Sequence, residues 1–359
     1  IEAISTVTTG TDALVADTDG DGYNDGVEVT VGSDPTDANS VPPSLQAYYN
    51  FERSSGDSVA DQGAWGNTAT VVRPDQTTVG VSGGAPAGPS PATAANFQGG
   101  FLNVPGVDMS SVISGEGSYT LAAWINPSDL GGNKFLWGQT SQGIHNGIRN
   151  NGFLHQAHWG ADTNGATNLN DYLAADEDKW VHAAWVYDGA TDTGRIYLDG
   201  VLDYEGGKRA PNGSGNLIIG GSNGGGDNFR GLVDEIAVWS EVKDADYIAA
   251  LAAGQNALDD DADGLPDTWA AGYGVTDPDA DDDGDGISNA NEFLAGTNPT
   301  SSDSDGDGTS DSDEIAGGFD PTDENSLPLP AAVAYYNFEG DSSSVVIDRT
   351  FNGNDATVG

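Results

Sequence analysis

The chain has 359 residues, with 57 Asp and Glu against 11 Lys and Arg, a net charge of −46 and no cysteine. Such a charge repels nucleic acid and anionic membrane surfaces and favours cations as partners, while the missing cysteine excludes disulfides and thiolate metal sites. No apolar run approaches a membrane span and the first residues lack the basic-then-apolar layout of a signal peptide, so no membrane insertion is expected in this segment.

The first element in chain order is an acidic loop. Calcium takes roughly six to eight oxygens, and a loop of about 12 residues supplies them from positions 1, 3, 5, 7, 9 and 12, with Gly at 6 for the sharp turn. Asp17, Asp19, Asp21, Tyr23 (through its carbonyl), Asp25 and Glu28 fill that template around Gly22.

Residues 45–240 read as all-β. In SYTLAAWINP (118–127), Tyr119, Leu121, Ala123 and Ile125 alternate onto one face, and KWVHAAWVYD (179–188) and GLVDEIAVWS (231–240) share the two-residue period. Trp124, Trp137 and Trp185 are expected in the core. Asp199-Gly200, between two apolar runs, predicts a two-residue hairpin. Within 143–175, whose strand order the pattern does not settle, stand His155, His158 and Trp159. Two readings remain for them: a His-x-x-His pair for a transition metal beside a Trp that stacks on a sugar, or ordinary strand and loop residues. A helix is predicted over 244–253, capped by Ser240 or Asp244, with Tyr247, Ile248 and Leu251 on one face and Gly254 as its stop.

From Asp244 to Asp348 there is no Lys or Arg. Within that stretch the calcium template returns as Asp281, Asp283, Asp285, Ile287 (carbonyl), Asn289 and Glu292 around Gly286, and as Asp303, Asp305, Asp307, Thr309 (carbonyl), Asp311 and Glu314 around Gly308. A further candidate, Asp259, Asp261, Asp263, Leu265 (carbonyl) and Asp267 with Gly264, has Ala270 where the Glu should stand. Gly296 and Pro299 stop any helix after Glu292 within about one turn, which departs from a complete EF-hand. Segments this acidic and this poor in apolar residues cannot offset their ordering entropy alone, so bound Ca2+ is expected to convert a self-repelling coil into a stiff spacer. Magnesium suits the loops less, since it keeps its waters.

The acidic segment Asp17–Ser40 recurs as Asp303–Ser326, AYYNFE (47–52) as AYYNFE (334–339), and DQGAWGNTATV (61–71) as DRTFNGNDATV (348–358). The same order thus returns after about 290 residues, the period of an array of large modules. Four regions follow: an acidic linker over 1–44, a β-domain with a short terminal helix over 45–254, a second acidic linker over 255–330, and the opening strands of a second β-domain over 331–359. A segment of a longer tandem array is expected.

The loop spacing resembles thrombospondin type 3 repeats of the bacterial kind, in which calcium loops stack on one another. That resemblance implies that Asp34, Asp37, Asp277, Asp279, Asp320 and Asp323, placed after each break, complete neighbouring sites. The strand segments YYNFE (48–52), SYTLAAWINP, KWVHAAWVYDGATDTGRIYLDGVLD (179–203) and LIIGGSNGGGDNFRGLVDEIAVWS (217–240) resemble a laminin-G-like, concanavalin A-like jelly-roll β-sandwich. This second resemblance implies a calcium near the first strand, held by Glu52, Asp61, Asn67 and Asp234; turn-forming Asp and Asn capping their own backbone is the equal alternative. Some jelly rolls are glycoside hydrolases with closely spaced Glu-Asp-Glu carboxylates, but Asp234-Glu235 lacks the third acid, and no nucleophile elbow, Cys–His pair or phosphate loop is present. No enzyme activity is expected. The expected function is that of a calcium-binding, extracellular, structural or adhesive protein, its partners being calcium ions and neighbouring repeats, up to a homopolymeric filament. The alternative is a glycan- or protein-binding lectin-like module of a secreted adhesin or exo-enzyme.

Overall fold

Strands form where β-branched and aromatic residues alternate with small ones, and loops where Gly, Asn and Asp gather. The computed structural model describes residues 17–20, 25, 28–29, 33–38, 40, 42, 44–52, 54, 56–73, 75–85, 93–108, 117–141, 143–175, 180–212, 214–221, 227–259, 263–326, 345–346 and 356–357. The chain divides into two units, Ile1–Leu258 and Asp259–Gly359.

The first unit holds an antiparallel β-sandwich of two sheets, each eight-stranded among the described residues. One sheet runs in the spatial order β14 (Val201–Gly207), β13 (Thr193–Leu198), β12 (Val181–Asp188), β7 (Tyr119–Pro127), β16 (Arg230–Trp239), β5 (Thr93–Gln98) and β4 (Thr77–Ser82), with β1 (Leu45–Tyr49) also on β16. The other runs β11 (Ala161–Asn168), β10 (Phe153–His158), β9 (His145–Ile148), β8 (Lys134–Gln139), β15 (Asn216–Ile219), β6 (Phe101–Asp108), β3 (Ala69–Val72) and β2 (Ser58–Val59).

The core between the sheets contains Tyr119, Leu121, Ala123 and Ile125, the alternating face of β7, with Trp185 from β12 and Trp137 from β8 packed edge to face at 6.3 Å. Trp124 points the other way, 5.5 Å from the His182 ring, because neighbours on a strand face opposite sides. A second apolar layer covers that outer face, where Tyr48, Ala122, Ala184, Val186, Tyr197 and Trp239 pack with Ile248 and Leu251. The latter two belong to α2 (Ala245–Ala252), capped by Asp244, whose side chain accepts from Tyr247 N. Double coverage explains why β12 is buried along most of its length. The β13–β14 turn has φ of 46° at Asp199 and 76° at Gly200, positive at both central residues as a type I′ turn requires. The region 143–175 forms β9, β10 and β11 at one sheet edge, followed by α1 (Leu169–Tyr172).

In the second unit, α3 (Asp267–Tyr273), α4 (Asn289–Ala295) and α5 (Asp311–Gly317) each end on a left-handed glycine: Gly274, Gly296 and Gly318. Some apolar packing accompanies them, against the expectation that these segments have almost none: Trp269 of α3 lies 5.4 Å from Phe293 of α4, and Leu265 and Val275 are buried. Of 331–359, the described residues are Val345–Val346 and Ala356–Thr357, which pair in the register Val345↔Thr357 and Val346↔Ala356. The same register, Ser58↔Thr70 and Val59↔Ala69, joins β2 to β3. No helix among the described residues is long and apolar enough to cross a membrane.

Candidate metal centres

Each acidic loop is built on its first Asp. Asp281 accepts from the amides of Gly284 (2.8 Å) and Gly286 (3.0 Å), and Asp303 likewise from Gly306 (2.8 Å) and Gly308 (2.9 Å). The glycines at the sixth position, Gly286 and Gly308, have φ of 100° and 97°, a region that only glycine enters without strain. Positions 3 and 5 each use one oxygen on the backbone: Asp283 on Asp285 N, Asp285 on Ile287 N, Asp305 on Asp307 N and Asp307 on Thr309 N. The second oxygens of Asp283, Asp305 and Asp307 are buried with no hydrogen-bond donor among the described residues. Both carboxylate oxygens of Glu292 and of Glu314, the residues at position 12, are in the same state, and both side chains are fully buried. One carboxylate oxygen each from Asp281, Asp283 and Asp285, and again from Asp303, Asp305 and Asp307, lie within 4.8 Å of one another.

Burying carboxylates together costs free energy that only a cation returns. Desolvation, followed by the charges of Asp283, Asp285 and Asp311, pushes the Glu292 carboxyl up to about 7. Desolvation and then Asp307, Asp305, Asp311 and Asp303 do the same to Glu314. Asp311 bears on both loops, and the amide of Ser312 donates to Asp285 at 3.2 Å, so the two loops are adjacent and share an electrostatic field. Oxygen-only donors, several of them buried without donors of their own, fit Ca2+. In the Asp17 and Asp303 loops the position-9 Asp clamps the second residue: Asp311 accepts from Ser304 N at 2.8 Å, and Asp25 from Thr18 N at 2.7 Å. Sequence reasoning gave position 9 to the metal alone; its second task has a signal in the Thr18/Ser304 hydroxyls.

The first loop repeats these bonds where it is described. Asp17 accepts from Gly20 N at 2.7 Å, Glu28 is fully buried and Asp19 half-buried; Asp21 and Tyr23 lie outside the described residues. In the Ala270 loop, Asp259 accepts from Asp263 N and Gly264 N, Asp263 accepts from Leu265 N, Asp267 opens α3, and Asp261 lies outside the described residues. The trailing acids form turns. Asp34 and Asp320 each accept from the amide and hydroxyl of Thr36 or Thr322, Asp323 accepts from Asn325 N, and Asp277 from Asp279 N; the Asp37 carbonyl accepts from Ser40 N. The Asp277 carbonyl is in turn held by the side chain of Asn289.

On the sandwich, Asp61 accepts from Tyr48 N, Gly63 N and Asn67 N, while the Asn67 amide donates to Gln46 O. These two residues tie a turn to the first strand. Asp234 accepts from Ala85 N and Glu235 N, and Glu52 from Thr93 N. Burial pushes Asp234 up to about 7, and the Glu52 charge adds to the rise, so these two acids share one neighbourhood.

His155 and His158 do not meet: three apart on β10, they face opposite sides of the sheet. His158 is fully buried on the core side, 2.7 Å from the Tyr119 hydroxyl and with its other nitrogen on Arg209 O. The Tyr119 hydroxyl accepts from Asn146 and Gln156, so it donates to His158. The outer-facing His155 instead lies with His145 of β9 and Asp162 of β11. Sequence spacing missed those two because strand register, not distance along the chain, brings them there. Trp159 is 55 % exposed, edge-on to His145.

Residues 98–249 match the concanavalin A-like lectin/glucanases superfamily, and residues 17–38 and 281–302 match the bacterial TSP3 repeat. No curated protein matches the chain. Among solved structures, domain 4 of AbnA, a GH43 extracellular arabinanase from Geobacillus stearothermophilus in complex with arabinotriose, aligns at 19% identity over 58% of this chain and 98% of that one, with a TM-score of 0.42. The Trypanosoma rangeli sialidase in complex with 2,3-difluorosialic acid aligns at 16% identity over 58% of this chain and 32% of its own, TM-score 0.42. The binding domain of botulinum neurotoxin DC in complex with rat synaptotagmin II aligns at 15% identity over 58% and 51%, TM-score 0.40.

Proposed function

We propose, from a laminin-G-like domain flanked by bacterial thrombospondin type 3 repeats, that this chain is a segment of an extracellular, calcium-dependent structural or adhesive protein. In it, ion-filled acidic linkers space the β-sandwiches. The observation that carries this is the pair Glu292 and Glu314, each fully buried, with no donor to either oxygen among the described residues and with the charges of the loop aspartates acting on it. Asp281, Asp283, Asp285 and Glu292 would hold one ion, and Asp303, Asp305, Asp307 and Glu314 another, with Ile287 and Thr309 carbonyls as further donors. The Asp17–Glu28 loop is a third such site, and the Ala270 loop a weaker fourth. Bound calcium supplies the positive charge that lets these carboxylates stay together. Extracellular modules of this kind bind with Kd of about 10⁻⁴–10⁻³ M, which a calcium-rich exterior saturates and a cytosol does not.

The repeated hairpin register at 345–357 supports tandem modules, and with them assembly of neighbouring repeats into a filament. A binding role for the sandwich is supported by exposed Trp159, a flat apolar face suited to a sugar. The deciding experiment is limited proteolysis with and without EGTA, read by mass spectrometry. Cleavage within 259–326 only after chelation supports the proposal, and a linker that stays resistant without divalent metal refutes it. A glycan array comparing the chain with Trp159→Ala tests the adhesive role.

A further inference from the structure

We propose that His145, His155 and Asp162 form a transition-metal site of the zinc type, with three protein ligands and one position open to water. It is separate from the calcium loops.

The site follows from register. Strands β9, β10 and β11 are consecutive antiparallel neighbours, with His155↔Gly147 on one side and Ala157↔Asp162 on the other. Continuing the first register, which the Ile144↔His158 bridge also obeys, sets His145 opposite Ala157. His145, Ala157 and Asp162 therefore form one row across three strands, and His155 stands two residues along on the same face. Ala157 fills only a methyl's space in the middle of that row. One ligand atom from each of the three side chains lies within 4.8 Å of the others.

His155 is the second, independent pointer. It is 1% exposed, and its Nδ1 lies 2.8 Å from Oδ1 of Asn164, the residue directly opposite on β11. An amide oxygen only accepts, so Nδ1 carries the proton and Nε2 presents a lone pair. That Nε2 is buried without a hydrogen-bond partner among the described residues and lies 3.9 Å from Asp162 Oδ2. A buried lone pair with no donor is an unexplained cost unless a Lewis acid meets it. Ligating histidines commonly fix their tautomer through the other ring nitrogen in this way, and Asn164 supplies that partner. Arg149, 3.0 Å from Asp162, orients the carboxylate, and Phe135 packs edge-on to His145 at 5.1 Å.

Two imidazoles and one carboxylate select zinc or a similar first-row ion over calcium, which prefers oxygen alone. At Zn–N of about 2.0–2.1 Å, tetrahedral ligands sit about 3.4 Å apart. The His155–Asp162 gap is near that already, and half-buried His145 and exposed Asp162 have room to close the remainder.

The test uses the full chain with its acidic loops filled by excess calcium. Co2+ is then titrated and the visible d–d absorption of a tetrahedral nitrogen-containing site is recorded, with Zn2+ as competitor. The proposal expects about one equivalent of bound Co2+, displaced by Zn2+. It expects the band to vanish in His155→Ala and in His145→Ala. Asn164→Ala should weaken binding about 10–100-fold, with recovery in Asn164→Asp, which restores an acceptor for Nδ1. Near-ultraviolet circular dichroism checks each fold. Should His155→Ala fail to fold, half-buried His145 carries the test. No tetrahedral band, or a band that survives His145→Ala, overturns the proposal.

Discussion

The sandwich and the second unit of this chain hold themselves together in opposite ways. Between its sheets the sandwich buries Trp137, Trp185, Tyr119 and Phe97 at essentially zero exposure, and apolar burial of this kind is self-sufficient in water. The unit Asp259–Gly359 buries Glu292, Asp311 and Glu314 just as completely, and its large apolar groups include Leu294 at 80% exposure. Equal burial thus carries opposite free-energy signs: a tryptophan gains by leaving water, whereas a carboxylate loses unless a cation follows it in. The accessible surface of a residue does not by itself tell whether it stabilises.

Removing calcium should break the two regions apart most strongly. With ion at 100 times Kd, each filled site stabilises by about 2.7 kcal/mol, so EGTA should open 259–326 to protease while the sandwich's main melting transition stays in place. In the reverse direction, Trp185→Ala leaves a cavity among core side chains and should cost the sandwich about 3–5 kcal/mol in urea unfolding, with calcium stoichiometry by calorimetry unchanged. If either perturbation crosses into the other region, the division between them is wrong.

Acid should separate them further. Burial lowers His158 and His182 to about 3, below the unfolded value near 6.5. Their contribution is therefore complete above about pH 6.5 and is lost as pH falls towards 3, at up to about 1.4 kcal/mol per pH unit for each histidine. Asp234 works the other way, since its carboxyl is raised to about 7 and its contribution is present at low pH and lost as pH rises through 7. Burial also raises Asp61 and lowers His155 to about 4. Three buried histidines outweigh the two acids, so the sandwich's denaturation midpoint should decline between pH 6 and 5; a midpoint that rises would contradict the assignment.

Smaller effects sharpen the picture. Gly200→Ala meets a positive φ, and its Cβ would lie 2.9 Å from Ala249 Cα, so a loss of about 1–3 kcal/mol is expected in the sandwich alone. Glu314→Gln keeps the volume but removes a charged pair of oxygens; calorimetry should then count about one calcium fewer, with the sandwich melt unmoved.

Much of this was legible beforehand because the signals are local. A 12-residue ligand spacing, Asp199-Gly200 between apolar runs and Asp244 ahead of Tyr247, Ile248 and Leu251 each specify their geometry within a few residues. Histidine spacing left two readings open, and the pairing of His155 with His158 fails because a three-residue interval that shares a helix face splits across a strand. Trp124 is buried as expected, but on the outer face beside His182, because a sheet covered on both faces buries residues on either side.

The residue order by itself therefore determined the acidic loops, the hairpin, the capped helix and the repeat, since each depends on neighbours a few bonds apart or on copies of one pattern. Only the tertiary structure decided that His155 meets His145 and Asp162, that Asp61 and Asn67 serve a turn, and that Asp285 reaches Ser312. Those encounters depend on strand register and loop stacking, and many compact arrangements of the same chain satisfy the local signals before packing selects one of them.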